Sequence, residues 1–372
     1  MKIKKKTLLF YLSHPALFHL YKQTIRELGL HGHRVYVLVK KKEVLEELAE
    51  DLDCRLLNIY PRDRGTSPPA LLCSVLIKDY RIFRIARKIR PDLLIGTASE
   101  VSHVGKLLRI PSIIVNDTDC KAAPLFARST YPFADTILAP QCCDVGRWAD
   151  RSITYPGCHP SAYLHPAYFT PDAALMEQFN PSRERYFVLR LVKLAAHHDQ
   201  GKSGITDELA LEIIRRLEPH GRIYISSERD LPAAFDRYVL RIAARELHSA
   251  LAFADLLITD GQTVAAEAAA LGTPAIAYNG FIGIMGYLVL LENNYHLLSG
   301  IRSGNPEQLL TMIDKQLSSC ISREEWHKWR NRLLAESTDI PRFLTWFIET
   351  YPDSEAILRT NPQKINEFLF GA

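Results

Sequence analysis

The chain has 372 residues, 47% hydrophobic and 24% charged, with a formal net charge of +4. That length exceeds what one hydrophobic core usually serves, so two domains are expected; the composition is that of a soluble globular protein without low-complexity segments or short-period repeats. No run approaches the roughly 20 apolar residues of a membrane-spanning helix. The seven cysteines, Cys54, Cys73, Cys120, Cys142, Cys143, Cys158 and Cys320, form no paired framework and no zinc-type CxxC pair. They read as reduced thiols of a cytoplasmic protein.

Charge is unevenly spread. Residues 1–165 hold 25 Lys and Arg against 16 Asp and Glu, whereas residues 166–372 hold 21 against 26. The basic first half and acidic second half are expected to face different partners.

The opening "MKIKKKTLLFYLSHP" imitates a secretory leader, but its apolar stretch of about six residues is short of the ~7–15 such a segment needs, so it reads as a buried first strand. Strand and helix patterns then alternate: "TLLFYL", a helix through "LFHLYKQTIRELGLHG", "RVYVLV", a charged helix "KKEVLEELAEDL", and "CRLLNI". After a turn-rich "PRDRGTSPP" come a long helix "ALLCSVLIKDYRIFRIARKIR", the strand "PDLLIG", a helix "SEVSHVGKLLR", "IPSIIVND", another helix and "FADTILAP". Strands apolar throughout are those of a parallel sheet covered on both faces.

The pattern dissolves in the Pro-, Gly- and Tyr-rich "YPGCHPSAYLHPAYFTPD" and resumes with "YFVLRLV", "TDELALEIIRRLEPHG", "RIYISS", a helix over "LPAAFDRYVLRIAA", "ELHSALAFA", "DLLITD", an alanine-rich helix and "TPAIAYN". The expected fold class is α/β, with two Rossmann-like doubly wound parallel-sheet domains and a cleft at the carboxyl ends of their strands. The boundaries read as 1–160 for the first domain, 161–184 for a linker, 185–322 for the second domain, and 323–372 for a helical tail packing across both.

Polar residues following strands are the site candidates. In the second half, Asp260-Gly261-Gln262-Thr263 joins a strand to a helix start, where the backbone N–H groups of Thr263 and Val264 and the positive helix end suit a diphosphate. Glu267, one turn on, could accept the hydroxyls of a ribose; its plain alternative is a solvated or capping carboxylate. "RLVKLAAHHDQGKSG" offers Arg190 and Lys193 for phosphate, His197 and His198 for proton transfer, and Gly201 and Gly204 for close backbone approach. Ser227 and Glu228 follow the next strand, and His248 reads as a packing histidine. "AHHDQGKS" imitates a Walker A loop but has Ala196 where that loop requires glycine.

The first half supplies Ser13, His14 and His19 after its first strand, Glu100 in "GTASE", and Asn116, Asp117 and Asp119 in "VNDTD". Each alone is an ordinary turn former, but together they ring one mouth. Lys78, Arg81, Arg84, Arg87 and Lys88 recur at three- and four-residue spacing with Tyr80, Ile82, Phe83 and Ile85 between them. Such a helix suits an anionic membrane or lipid-linked acceptor, or is simply a solvated amphipathic face. No nucleic-acid-binding motif accompanies the charge.

"DLLITDGQTVAAEAAALGTPAIAYN" resembles the nucleotide-sugar signature of GT-B fold enzymes, among them the non-hydrolysing UDP-N-acetylglucosamine 2-epimerases and the peptidoglycan N-acetylglucosaminyl transferase. "AHHDQGKSG" is similar to the epimerases' histidine loop. With "SHPALFHLYK", "VNDTD", "AYLHPAYFTPD", "HHDQGKSGITDE" and "ISSE", the chain resembles, over about residues 5–350, a bacterial and archaeal family of unknown function related to those enzymes and met among surface-polysaccharide genes. The resemblance implies a GT-B fold, Glu267 as the ribose-binding glutamate, Gln262 to Val264 as the diphosphate turn, and His197 or His198 as the loop histidine. The epimerases carry Gly-Gly where this chain has Gly261-Gln262.

The expected function is a metal-independent glycosyltransferase moving a sugar from a UDP-type donor to a cell-surface glycan or lipid-linked acceptor. His14 first and Asp117 second are the expected bases, no cofactor is expected beyond the nucleotide-sugar substrate, and the membrane contact would be peripheral, at the inner face of the plasma membrane. One alternative is a sugar-nucleotide epimerase using Asp117, Glu100 and His198. Another is a non-catalytic sugar-nucleotide or glycan binder.

Overall fold

The computed structural model describes residues 4–40, 54–60, 68–193 and 204–372. The helix expected over 41–52, and His197, His198 and Gly201, lie outside the described residues. The chain divides into two compact units, residues 1–163 with 337–372, and residues 164–336.

The first unit is built on a parallel sheet whose described strands are β1 (Thr7–Leu12), β2 (Arg34–Lys40), β3 (Arg55–Tyr60), β4 (Leu93–Gly96), β5 (Ser112–Val115), β6 (Thr136–Pro140) and β7 (Ser152–Tyr155). They lie in the order β3-β2-β1-β4-β5-β6-β7. Strands β4, β5 and β6 are buried at every position, as continuous apolar runs require when helices cover both faces. The winding direction reverses between β1 and β4, which pair directly with Tyr11 opposite Gly96. Glycine is needed at that junction, because a Cβ on Gly96 would lie 2.9 Å from the Tyr11 carbonyl oxygen. In open α/β sheets the crevice outside such a switch point is where ligands bind.

The second unit carries β8 (Tyr186–Leu191), β9 (Arg222–Ser227), β10 (Leu256–Thr259), β11 (Ala275–Asn279) and β12 (Leu298–Arg302), all parallel, in the order β12-β11-β10-β8-β9. Its core joins Phe187, Leu189, Ile258 and Ile276 of the sheet to Ile213, Ile214 and Leu217 of the helix Asp207–Leu217. Both units thus have the doubly wound Rossmann-like sheets that the alternation of patterns predicts.

Three local features differ from the sequence reading. "SITY" forms edge strand β7, although it stands next to the Pro- and Gly-rich stretch and carries no long apolar run. The helix expected over 231–244 is a short 3₁₀ turn, Ala233–Tyr238, after which Val239 bridges to Ile225 and the Leu240 N–H donates to the Ile225 carbonyl at 2.8 Å. The exposed edge of β9 captures the segment that amphipathic spacing alone assigned to a helix.

The third feature is the domain partition. From Leu164 onward the expected linker belongs to the second unit: its helix Ala173–Phe179 packs on the helix Leu247–Phe253, and the Asp172 N–H donates to Ser249 Oγ at 3.0 Å. The tail is split between the units. Helix Arg323–Glu336 stays with the second unit, where Arg323 donates to the carbonyls of Phe253 and Ala254. Ser337 onward joins the first unit, where Gly157, at φ +97°, passes against Ser337 and the Thr338 N–H donates to the Pro156 carbonyl at 3.1 Å.

Candidate functional site

In the second unit, chemistry gathers at the carboxyl end of β10. Thr259 is followed by Asp260, and Gly261 is the N-cap of the helix Gln262–Leu271, with no side chain capping that helix start. The first-turn N–H groups of a helix have no intrahelical acceptor, and the macrodipole adds partial positive charge there. The alanines of this helix are buried, so its slim face can lie close against its neighbours.

Asp260 ties the turn to the segments flanking residues 194–203. One carboxylate oxygen accepts the Val192 N–H at 2.8 Å and the other the Ile205 N–H at 3.0 Å. Burial pushes its carboxyl above the usual range, and the two backbone N–H groups oppose that rise. Asp260, which the sequence places in a turn suited to a ligand, thus braces that turn.

Gly261 is required by space rather than by a left-handed backbone. A Cβ there would lie 2.8 Å from Val192 Cγ1 and 3.0 Å from Val264 Cγ1. Valine side chains are stiff at χ1, so Gly261→Ala should lower stability by about 1–3 kcal/mol through overpacking. Thermal melting checks this; an unchanged midpoint would show that Val192 can turn aside.

Glu267 is only 7% exposed, yet it is not an isolated carboxylate on an alanine helix. Its Oε1 lies 3.2 Å from His248 Nε2, and His248 meets the edge of the Phe169 ring. His248, read from sequence as a packing residue, therefore contacts the carboxylate expected to bind ribose. Arg190, on β8, donates to Ser226 Oγ at 2.8 Å and to Glu228 Oε1 at 2.5 Å, and the Lys193 N–H reaches Glu228 Oε2 at 3.5 Å. Ser227 Oγ closes a local turn with Arg229. The structure thus brings Arg190, Lys193 and Glu228 together, with Arg190 already paired to a carboxylate.

In the first unit the candidates follow β1, β4 and β5. His14 is the N-cap of the helix Pro15–Leu30, and its Nδ1 accepts the Ala16 N–H at 3.2 Å. His19, on the same helix, stacks on Tyr163 at 5.2 Å. Glu100 is buried and pairs with Lys78. Asn116 donates to the Thr118 carbonyl and to the Tyr131 hydroxyl, and Asp119 accepts the Asp144 N–H at 2.9 Å. Asn116 and Asp119 brace the loop after β5.

Asp117 differs from these neighbours. Its side chain is 31% exposed, and Oδ2 lies 3.1 Å from His159 Nδ1; His159 Nε2 lies 2.8 Å from the hydroxyl of the fully buried Tyr155. Burial opposes the charge on Asp117, yet the charge and hydrogen bond of His159 hold its carboxyl below the ordinary carboxylate range. Neither His159 nor Tyr155 was legible from sequence, because both fall at the edge of a stretch read as linker; their four-residue separation was the only signal.

The basic helix Pro68–Ile89 turns two of its cations inward: Lys78 pairs with Glu100, and Arg81 donates to the Ile59 carbonyl at 2.6 Å. Arg84, Arg87 and Lys88 are exposed, beside Leu76 and Tyr80 at 58% and 60% exposure. Among the described residues no helix is long and apolar enough to cross a membrane, and no group of three or more His, Cys, Asp or Glu residues could hold a metal ion.

Comparison with solved structures places this architecture among known folds. The glycotransferase of kitacinnamycin superposes with a TM-score of 0.61 at 15% identity, covering 93% of this chain and 99% of its own. UDP-N-acetylglucosamine 2-epimerase from Rickettsia bellii gives 0.63 at 12% identity, covering 96% and 99%. S. aureus MnaA in its structure with UDP gives 0.64 at 11% identity, covering 97% of each chain. No protein-family model and no curated protein matches the sequence. At these identities the likeness is one of fold, and the chain has the two-domain Rossmann-like architecture called GT-B.

Proposed function

We propose that the protein is a glycosyltransferase that binds a nucleotide-sugar donor of UDP type. The observation that carries this reading is the end of β10: an uncapped helix start, a glycine turn braced by Asp260, and the buried carboxylate Glu267 one turn further along. That arrangement suits a nucleoside diphosphate, with the diphosphate at the helix end and the ribose hydroxyls donating to Glu267. Fold neighbours that include a glycosyltransferase and a UDP-bound structure support the same reading.

In the reaction, the bond from the sugar's anomeric carbon to the diphosphate breaks as a bond from the acceptor oxygen forms. Charge develops on the leaving diphosphate, where the helix start and Lys193 would stabilise it without a metal ion. Arg190 would join them by leaving Glu228.

The acceptor hydroxyl's proton goes to Asp117. Hydrogen-bond direction favours this residue over His14: an imidazole whose Nδ1 accepts a backbone N–H carries its proton on Nε2, where it donates and cannot act as a base. Asp117 is part-exposed and held ionised. The outward cations Arg84, Arg87 and Lys88 with Leu76 and Tyr80 suit an acceptor carried on an anionic lipid surface, with the protein peripheral to the membrane.

Asp117→Asn tests the assignment. Affinity for the donor should be retained while transfer falls by roughly 10²–10⁴-fold, the usual contribution of a general base. Retained turnover, or donor affinity lost together with turnover, would remove Asp117 from this role. Incubating UDP-N-acetylglucosamine and enzyme in deuterated water distinguishes the epimerase reading, which alone requires exchange at C2.

A further inference from the structure

We infer that His159 and Tyr155 are positioning residues for Asp117, a buried phenol–imidazole relay that occupies one carboxylate oxygen and fixes the orientation of the part-exposed carboxylate. The inference rests on the role proposed above for Asp117, but its geometry stands independently. Oδ2 of Asp117, Nδ1 of His159, Nε2 of His159 and the Tyr155 hydroxyl follow one another at 3.1 Å and 2.8 Å.

Donor and acceptor roles along this chain are restricted. With a neutral imidazole, the Tyr155 hydroxyl donates to Nε2 and Nδ1–H donates to Asp117, so every polar atom of the chain is satisfied. With an imidazolium, both ring nitrogens donate and Tyr155 becomes the acceptor. Nδ1 carries a proton in either state, so Asp117 keeps its partner whichever charge His159 bears. In a dry interior two hydrogen bonds in series polarise one another, which strengthens the one that reaches the carboxylate.

The scaffold holds the relay in place. His159 stacks on the Tyr155 ring at 6.4 Å, Tyr155 packs on Phe343 at 5.7 Å, and the Asp117 carbonyl accepts the Cys143 thiol at 2.9 Å. The other ionisable groups that sense Asp117 are Tyr21, from the helix Pro15–Leu30, Tyr131, Cys143 and Cys158. Burial pushes Tyr21, Tyr131 and Cys158 above their usual range, and contact with Cys142 together with burial does the same for Cys143. These four are neutral near pH 7, so it is His159, together with a backbone hydrogen bond at Asp117 itself, that favours the ionised carboxylate.

The test is carbon-13 and nitrogen-15 NMR of the full chain, labelled in its aspartate and histidine side chains. In the wild type, His159 should be protonated at Nδ1 throughout, and the Asp117 carboxyl should titrate below the ordinary range. His159→Ala should raise that titration midpoint by more than about one pH unit, and Tyr155→Phe should raise it by less. His159→Gln, which retains an amide donor, serves if His159→Ala fails to fold and should behave like Tyr155→Phe.

The same variants should shift upward the acid limb of kcat/KM for UDP release from UDP-N-acetylglucosamine with water as the sugar's acceptor, its proton passing to Asp117, with KM nearly unchanged. An Asp117 midpoint unmoved in folded His159→Ala, or a His159 unprotonated at Nδ1, would overturn the relay. An acid limb that stays while the carboxyl titration moves would reduce it to a purely structural contact. Absence of UDP release in every form would count against the proposed function, while the titration would still decide the relay.

Discussion

Glu267→Ala is expected to weaken binding of a UDP-sugar roughly 30- to 1,000-fold, corresponding to about 2–4 kcal/mol for two hydrogen bonds to an ionised acceptor. The size follows from position: the carboxylate is 7% exposed, so no bulk water can replace it as the ribose partner. His248 supplies the control. Its Nε2 lies 3.2 Å from Glu267 Oε1, and in His248→Gln an amide can take over the contact without an ionisable ring. That variant should retain affinity to within a few-fold, whereas Glu267→Ala should lose it while both remain folded. Isothermal titration with UDP-N-acetylglucosamine reads both; equal affinity in wild type and Glu267→Ala would remove Glu267 from the site.

Asp260→Ala should have the largest effect on stability. It leaves the N–H groups of Val192 and Ile205 without their carboxylate, and each unsatisfied buried donor costs about 1–3 kcal/mol. Part is offset because the buried charge itself is lost, so a net cost of roughly 2–4 kcal/mol is expected. For a unit of this size that lowers the melting midpoint by roughly 5–15 °C. A drop of less than about 2 °C would mean that water or another acceptor reaches both donors.

The direction with pH is opposite to that of a salt-bridged carboxylate. Because the folded pKa of Asp260 is raised by burial, its contribution is fully present below the unfolded carboxylate value and declines as pH rises to the folded one. Asp117 has the usual sign: its depressed folded pKa gives a contribution present above the unfolded value and lost as pH falls through the folded value. The melting midpoint measured between about pH 3 and pH 7 in Asp260→Ala and Asp117→Asn separates these two slopes.

The sheets were legible because their signal is redundant. β1, β8, β10 and β11 are built on apolar runs, Leu8–Leu12, Tyr186–Leu189, Leu256–Ile258 and Ala275–Tyr278, and a parallel strand buried on both faces can hardly be written otherwise. Edge elements were less visible: β7 is four residues, and the 231–244 segment has helical spacing but yields to pairing with β9.

Site residues divided along a similar line. Turn positions such as Gly261 and Asp117 announce themselves by following strands. Their partners do not. His159 reaches Asp117 across 42 positions of sequence, and His248 reaches Glu267 from a different helix, so neither pairing leaves a local pattern. Asp260 shows the same limit: its chemistry was visible, but its partners at Val192 and Ile205 were not.

Whether the second unit binds a nucleotide sugar can be read from thermal melting of the wild type against UDP, dTDP, GDP, CMP and ATP, each with representative sugar conjugates. A ligand at ~100 times its dissociation constant stabilises the folded state by about 2.7 kcal/mol, enough to move the midpoint clearly. The expected result is a rise with UDP conjugates above that with the other nucleotides. No rise with any nucleotide, in a sample that melts cooperatively, would contradict it.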